Sequence, residues 1–84
     1  MNTDEDTLRQ VLDRCADPVD SIAEPLLKFF RCDLDATGTE ARVRRAYAEL
    51  ACALILTCPK SAERTVALRK AIESKDASLR SLES

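Results

Sequence analysis

Apolar residues recur along much of this chain at three- and four-residue steps, the spacing that gathers them on one side of an α-helix. Between residues 40 and 57, Val43, Ala46, Tyr47, Leu50 and Leu54 follow this pattern. Beyond the turn Cys58-Pro59-Lys60-Ser61, Leu68, Ile72, Leu79 and Leu82 form a second stripe, with Ala71 beside them. A link this short lays two helices next to each other and antiparallel. The pattern predicts a helical hairpin over residues 37–82, with the rest of the chain arranged around it.

The flanking residues mark where helices begin and end. In Thr37-Gly38-Thr39-Glu40, Thr37 is placed to cap the first long helix while Glu40 reaches back to it. Pro59 stops that helix, and Ser61 caps the next, with Glu63 in its first turn. Residues 1–36 read as an N-terminal segment of one or two short helices. Thr3 and the acids Asp4, Glu5 and Asp6 suit a helix start, and Leu8, Val11, Leu12 and Cys15 make a stripe behind them. Asp17 and Pro18 suit a second start, followed by Val19, Ile22, Ala23, Leu26 and Phe30. Pro25 falls inside this run, where it removes a backbone donor and forces a kink or a restart. The piece from Leu26 to Phe30 then presents two adjacent aromatics, and residues 33–37 read as a loop.

The expected architecture is all-α, a single domain over residues 1–84. Its apolar content is thin: of 38 apolar residues, 12 are alanine and 4 cysteine, which leaves 22 larger side chains for up to four helical segments. A chain this short buries only about 60–65% of its unfolded surface. Assembly with further copies is the usual remedy, so a homo-oligomer is expected, with a monomeric bundle as the alternative.

Charge and cysteine content narrow the function. The net charge of −2 argues against DNA as a partner. Residues 1–35 carry nine acids and four bases, whereas residues 36–84 carry six acids and nine bases, so the helical pair is locally cationic. Most of these charges read as a solvated surface, with Glu40–Arg44 and Asp76–Arg80 as i,i+4 pairs. Cys15, Cys32, Cys52 and Cys58 lack paired metal-ligand spacing and read as small buried apolar residues. Neither metal nor cofactor is expected. No apolar run approaches the length of a membrane span, and the expected location is cytoplasmic.

With no histidine and Gly38 as the sole glycine, the chain offers neither a common general base nor a phosphate-cradling glycine loop, and catalysis is not expected. Anion binding has more support. Arg42, Arg44 and Arg45 gather on the opening turns of the first long helix, and Lys60, Arg64, Arg69 and Lys70 around the start of the second. The backbone N–H groups of Ala62, Glu63 and Arg64 open that helix, and Thr65 adds a hydroxyl. Taken singly, each basic residue also fits a solvent-facing charge. Of Phe29 and Phe30, one can stack on a base, or both can pack inside; Tyr47 lies on a stripe and reads as core.

The stretch YAELACALILTCPKSAERTVALRKAIESKDASLR, Tyr47 to Arg80, resembles the helical hairpin domain of phage anti-CBASS and Thoeris anti-defence cyclic-nucleotide sponges. The shared features are a helix containing Leu-Ala, a proline at the turn, and S-x-E-R-(S/T)-x-A-L. Here these are Pro59 and Ser61-Ala62-Glu63-Arg64-Thr65-Val66-Ala67-Leu68. Lys70 to Ala77 matches the continuation of small phage relatives, and Leu26-Leu27-Lys28-Phe29-Phe30 is similar to the aromatic segment ahead of the hairpin. The resemblance implies a non-enzymatic homo-oligomer, often a hexamer, that sequesters cyclic di- or trinucleotide immune signals. By that resemblance Ser61, Arg64 and Thr65 serve phosphates and Phe29 or Phe30 stacks on a base, with Lys28 and Arg69 completing the ligand-binding set. The other functional class considered is a small helical module that binds a protein and no nucleotide.

Overall fold

The computed structural model describes residues 5–15 and 25–83. Every regular element among them is helical: α1 (Glu5–Cys15), a 3-10 helix η1 (Pro25–Phe30), α2 (Thr39–Thr57) and α3 (Ala62–Ser81). The class is all-α, as expected. The helix start assigned to Thr3 and the second start at Asp17-Pro18 lie outside the described residues.

α1 begins with Glu5 and Asp6 at the positive end of its dipole. Arg9 ties it down, reaching Glu5 at 3.1 Å and Asp35 at 3.2 Å. Its inner face brings Leu8 and Val11 onto Ala48 and Cys52 of α2, with Leu12, Cys32 and Leu34 around them.

η1 starts at Pro25, whose fixed φ and missing N–H suit a first helical position. A 3-10 helix eclipses residues three apart. Leu27 and Phe30 therefore point the same way, into the core, at 1% and 2% exposure, and Lys28 and Phe29 point outward. This geometry sorts the two aromatics, which the sequence alone left undecided.

The loop that follows is pinned by Asp33, whose side chain accepts from the Asp35 amide at 2.9 Å and whose carbonyl accepts from Ala36 at 3.2 Å. The predicted Thr37 capping box is not formed. Gly38 occupies the N-cap with φ 106°, a conformation that favours glycine, and no side chain caps the helix. Glu40 turns instead to Arg44, 2.9 Å away, which is the i,i+4 pair expected from the sequence.

α2 is buried on a different arc from the one the apolar pattern indicates. Ala46 is exposed and Leu50 is 44% exposed, whereas Ala48, Ala51 and Cys52 are buried. At 100° per residue these three centre roughly 140° from the predicted stripe, of which Tyr47 and Leu54 still pack at the edge of the core. Ala48 and Cys52 face α1, and Ala51, with Tyr47, Leu54 and Ile55, faces η1 and α3. Small side chains let neighbouring backbones approach closely, so the arc they occupy becomes the interior even though the bulkier Leu50 lies elsewhere.

α2 ends where Cys58, extended at φ −98° and ψ 133°, precedes Pro59. α3 packs on α2 and η1 through Leu68, Ala71 and Ile72, joining Phe30 and Ala51 in one cluster. Leu79 is half-buried, but Leu82, assigned to the same stripe, is past the helix end and 44% exposed. Cys52 is fully buried, while Cys32 and Cys58 are half-buried; all three are free thiols.

Candidate ligand-binding site

The turn between α2 and α3 gathers three of the predicted site residues. Ser61 adopts an extended backbone and its Oγ accepts from the Arg64 amide at 3.1 Å, the bond that starts α3. Thr65 Oγ1 donates to the Ser61 carbonyl at 3.2 Å. The Arg64 guanidinium folds back across the turn, and Nη1 donates to the Cys58 carbonyl at 3.1 Å. That bond fills one of the carbonyls a helix C-terminus leaves unpaired, and α2 has no basic residue of its own in its last turn.

The amide of Arg64 is thus occupied by the cap, which corrects the expectation that three consecutive N–H groups stand open there. The Ser61 hydroxyl keeps its proton to donate, and Thr65 Oγ1 keeps acceptor capacity. Lys60 is exposed beside them, and Arg69 is exposed one turn beyond Thr65.

Lys28 and Phe29 form the second group. Phe29 is 45% exposed and Lys28 Nζ stands 5.2 Å from its ring centroid, a cation–π contact. Phe30, proposed from the sequence as a stacking candidate, is in the core and offers no face to a ligand. Of the two aromatics only Phe29 presents its ring at the surface.

These two groups do not meet within one chain. The Phe29 carbonyl is held by Lys75 of α3. Lys75 is eleven residues beyond Arg64, a rise of about 16 Å along the helix. The clefts found among the described residues lie elsewhere. One of 270 Å³ is lined by Cys32, Asp33, Ala36, Thr37, Glu40, Ala41 and Arg44, and one of 330 Å³ by Thr39, Glu40, Arg44, Leu79, Leu82 and Glu83. They fall just below and at the bottom of the ligand-pocket range of about 300–1,000 Å³; both are lined by Arg44 of the basic cluster on α2, and neither by Lys28, Phe29, Ser61, Arg64, Thr65 or Arg69.

Lys75 is the residue the sequence reading passed over. It is 7% exposed, its Nζ donates to the Phe29 carbonyl, and it stands 5.6 Å from the Phe30 ring centroid. Burial pushes the ammonium below the ordinary lysine range and Arg44 adds to this, against the opposing pull of Asp76. Its position was legible: it lies four residues after Ala71, seven after Leu68 and four before Leu79, within the core stripe. Lys75 fastens the end of η1 to α3 and so sets where Phe29 emerges. Nearby, burial pushes the Cys32 thiol up, against the pull of Arg45. Tyr47, expected in the core, is half-buried, and its hydroxyl meets Ser74 at 2.5 Å and Ser78 at 3.1 Å on α3.

Among the described residues no group of three or more His, Cys, Asp or Glu could hold a metal ion, and no helix is long and apolar enough to cross a membrane. No family model, no curated protein and no solved structure matches this chain.

Proposed function

We propose that this chain is a non-enzymatic sponge that binds cyclic di- or trinucleotides in the host cytoplasm and withholds them from an immune effector. The scaffold in this reading is an antiparallel hairpin over residues 37–82, supported by the Tyr47 bonds to Ser74 and Ser78 and by the Arg64 brace to Cys58. The observation that carries the reading is the cluster of Ser61, Arg64 and Thr65 at the capped start of α3, which combines hydroxyls with a guanidinium fork suited to phosphate oxygens. Phe29 with Lys28 supplies a stacking surface for a base. Because these groups stand apart in one chain, the reading requires copies in a homo-oligomer, such as a hexamer, to bring Phe29 of one to the Arg64 cluster of another.

The second reading, a helical module that binds a protein and no nucleotide, is favoured by the exposed apolar side chains Leu50, Leu56 and Val66, at 44%, 54% and 42% exposure. A thermal shift with a panel of cyclic di- and trinucleotides separates the two. A ligand at a hundred times its Kd stabilises the fold by about 2.7 kcal/mol. For a domain of this size that raises Tm by roughly 10–20 °C. Arg64→Glu abolishes the shift while leaving the helical circular dichroism in place. Flat melting curves with every nucleotide reject the sponge reading in favour of the interaction module.

A further inference from the structure

α2 carries a second apolar pattern that the fold does not use. Thr39, Val43, Ala46, Leu50, Ala53 and Thr57 follow one another at alternating steps of four and three, the average 3.5-residue repeat of a coiled-coil seam. α1 covers the side of α2 at Ala48 and Cys52, and η1 and α3 cover the side at Tyr47, Ala51 and Ile55. The seam lies on the remaining side, apart from Thr39 at its start, which lines the cleft with Leu79 and Leu82. Ala46, Leu50 and Thr57 are exposed along it, no charged side chain interrupts it, and Leu50 at its middle is 44% exposed.

The border of the seam is self-complementary. Arg42 and Glu49 immediately precede Val43 and Leu50, one heptad apart and opposite in sign. Arg42 makes no ion pair among the described residues, and Glu49 pairs there with the half-buried Arg45, at 3.2 Å. Running two such borders past each other in opposite directions brings Arg42 of each copy to Glu49 of the other, a reciprocal pair of the kind a two-fold axis produces.

We propose that this face of α2 is a homodimer seam, on which a second copy of the chain lays its own α2 antiparallel, with the two-fold axis beside Ala46, midway between Arg42 and Glu49. In this register residues 39–52 of the two copies overlap over about 21 Å, which offers a seam on the order of 300 Å² per copy. The total falls below the 1,200–2,000 Å² of stable interfaces, so the pair is weak and depends on concentration. The inference rests on α2 alone and does not require nucleotide binding.

Sedimentation equilibrium of the nucleotide-free full chain tests it. The mass is expected to climb from 9.3 kDa toward twice that value as concentration rises. Leu50→Glu holds it at the monomer with unchanged helicity, while Val66→Glu, exposed on α3, leaves association intact. Arg42→Glu weakens association tenfold or more, and adding Glu49→Arg in the same chain restores it. If Leu50→Glu lowers helicity, the charge exchange decides the matter. The proposal is overturned by a monomer at every concentration, by association that survives Leu50→Glu, by equal disruption from Val66→Glu, or by a charge exchange that restores nothing. A monomer whose Tm still rises with a cyclic nucleotide overturns the seam and leaves ligand binding standing.

Discussion

Phe29 and Phe30 are adjacent, chemically identical and predicted to respond in opposite ways to truncation. Phe30 is 2% exposed among Ala51, Leu68 and Ala71, so Phe30→Ala removes a full aromatic's burial and leaves a cavity, at a cost of about 3–5 kcal/mol. At roughly 0.05–0.15 kcal/mol per residue, an 84-residue chain has about 4–13 kcal/mol in all. The variant is thus expected to lose from about a quarter to all of its stability. Phe29 is 45% exposed and holds η1 through its backbone carbonyl, which substitution leaves in place. Phe29→Ala is expected to cost about 1 kcal/mol or less, because roughly half its surface is already in water. Urea titrations followed by far-ultraviolet circular dichroism measure both. With a slope near 1 kcal/mol per molar for a chain this small, Phe30→Ala moves the midpoint by about 3 M or removes the folded baseline, and Phe29→Ala moves it by about 1 M at most. Equal costs for the two variants, or a cost below about 1.5 kcal/mol for Phe30→Ala, would refute the 3-10 geometry from which the sorting follows. In the sponge reading Phe29→Ala also removes the nucleotide-induced rise in Tm, a loss Phe29→Tyr does not reproduce.

Two further outcomes follow from the helix ends and the buried lysine. Ser61→Ala lowers stability by about 1 kcal/mol through loss of the cap to the Arg64 amide, whereas Thr37→Ala changes the thermal midpoint little, since α2 has no side-chain cap to lose. Lys75 is depressed in the fold from its ordinary 10.5, so between that lowered value and 10.5 the unfolded chain binds the extra proton and stability rises with pH across the window. Tyr47, lowered by its bond to Ser74, pushes the same way, and Cys32, raised by burial, pushes the other way above 9.0. The difference between the parent and Lys75→Met in urea titrations from pH 8 to 11 isolates the Lys75 contribution, and identical pH slopes in the two would contradict it.

The sequence by itself determined what depends on near neighbours along the chain. The two long helices, the stop at Pro59, the Ser61 cap and the Glu40–Arg44 pair are all settled within about four residues, the reach of helix periodicity, proline sterics and capping hydrogen bonds. The inner faces of α1 and α3 were likewise legible, but only the tertiary structure decided which side of α2 became interior. Val43, Ala46 and Leu50 belong to the more hydrophobic stripe, yet α2 is approached by α1 on one side and by η1 and α3 on another, and both approaches select the small residues Ala48, Ala51 and Cys52. The same packing put Phe30 inside and Phe29 outside, drew Lys75 under the end of η1, and kept the aromatic and the arginine halves of the candidate site apart in one chain. Periodicity reports the faces a helix could bury, but contact with distant segments chooses among them, because burial energy is realised only where another surface arrives to exclude water.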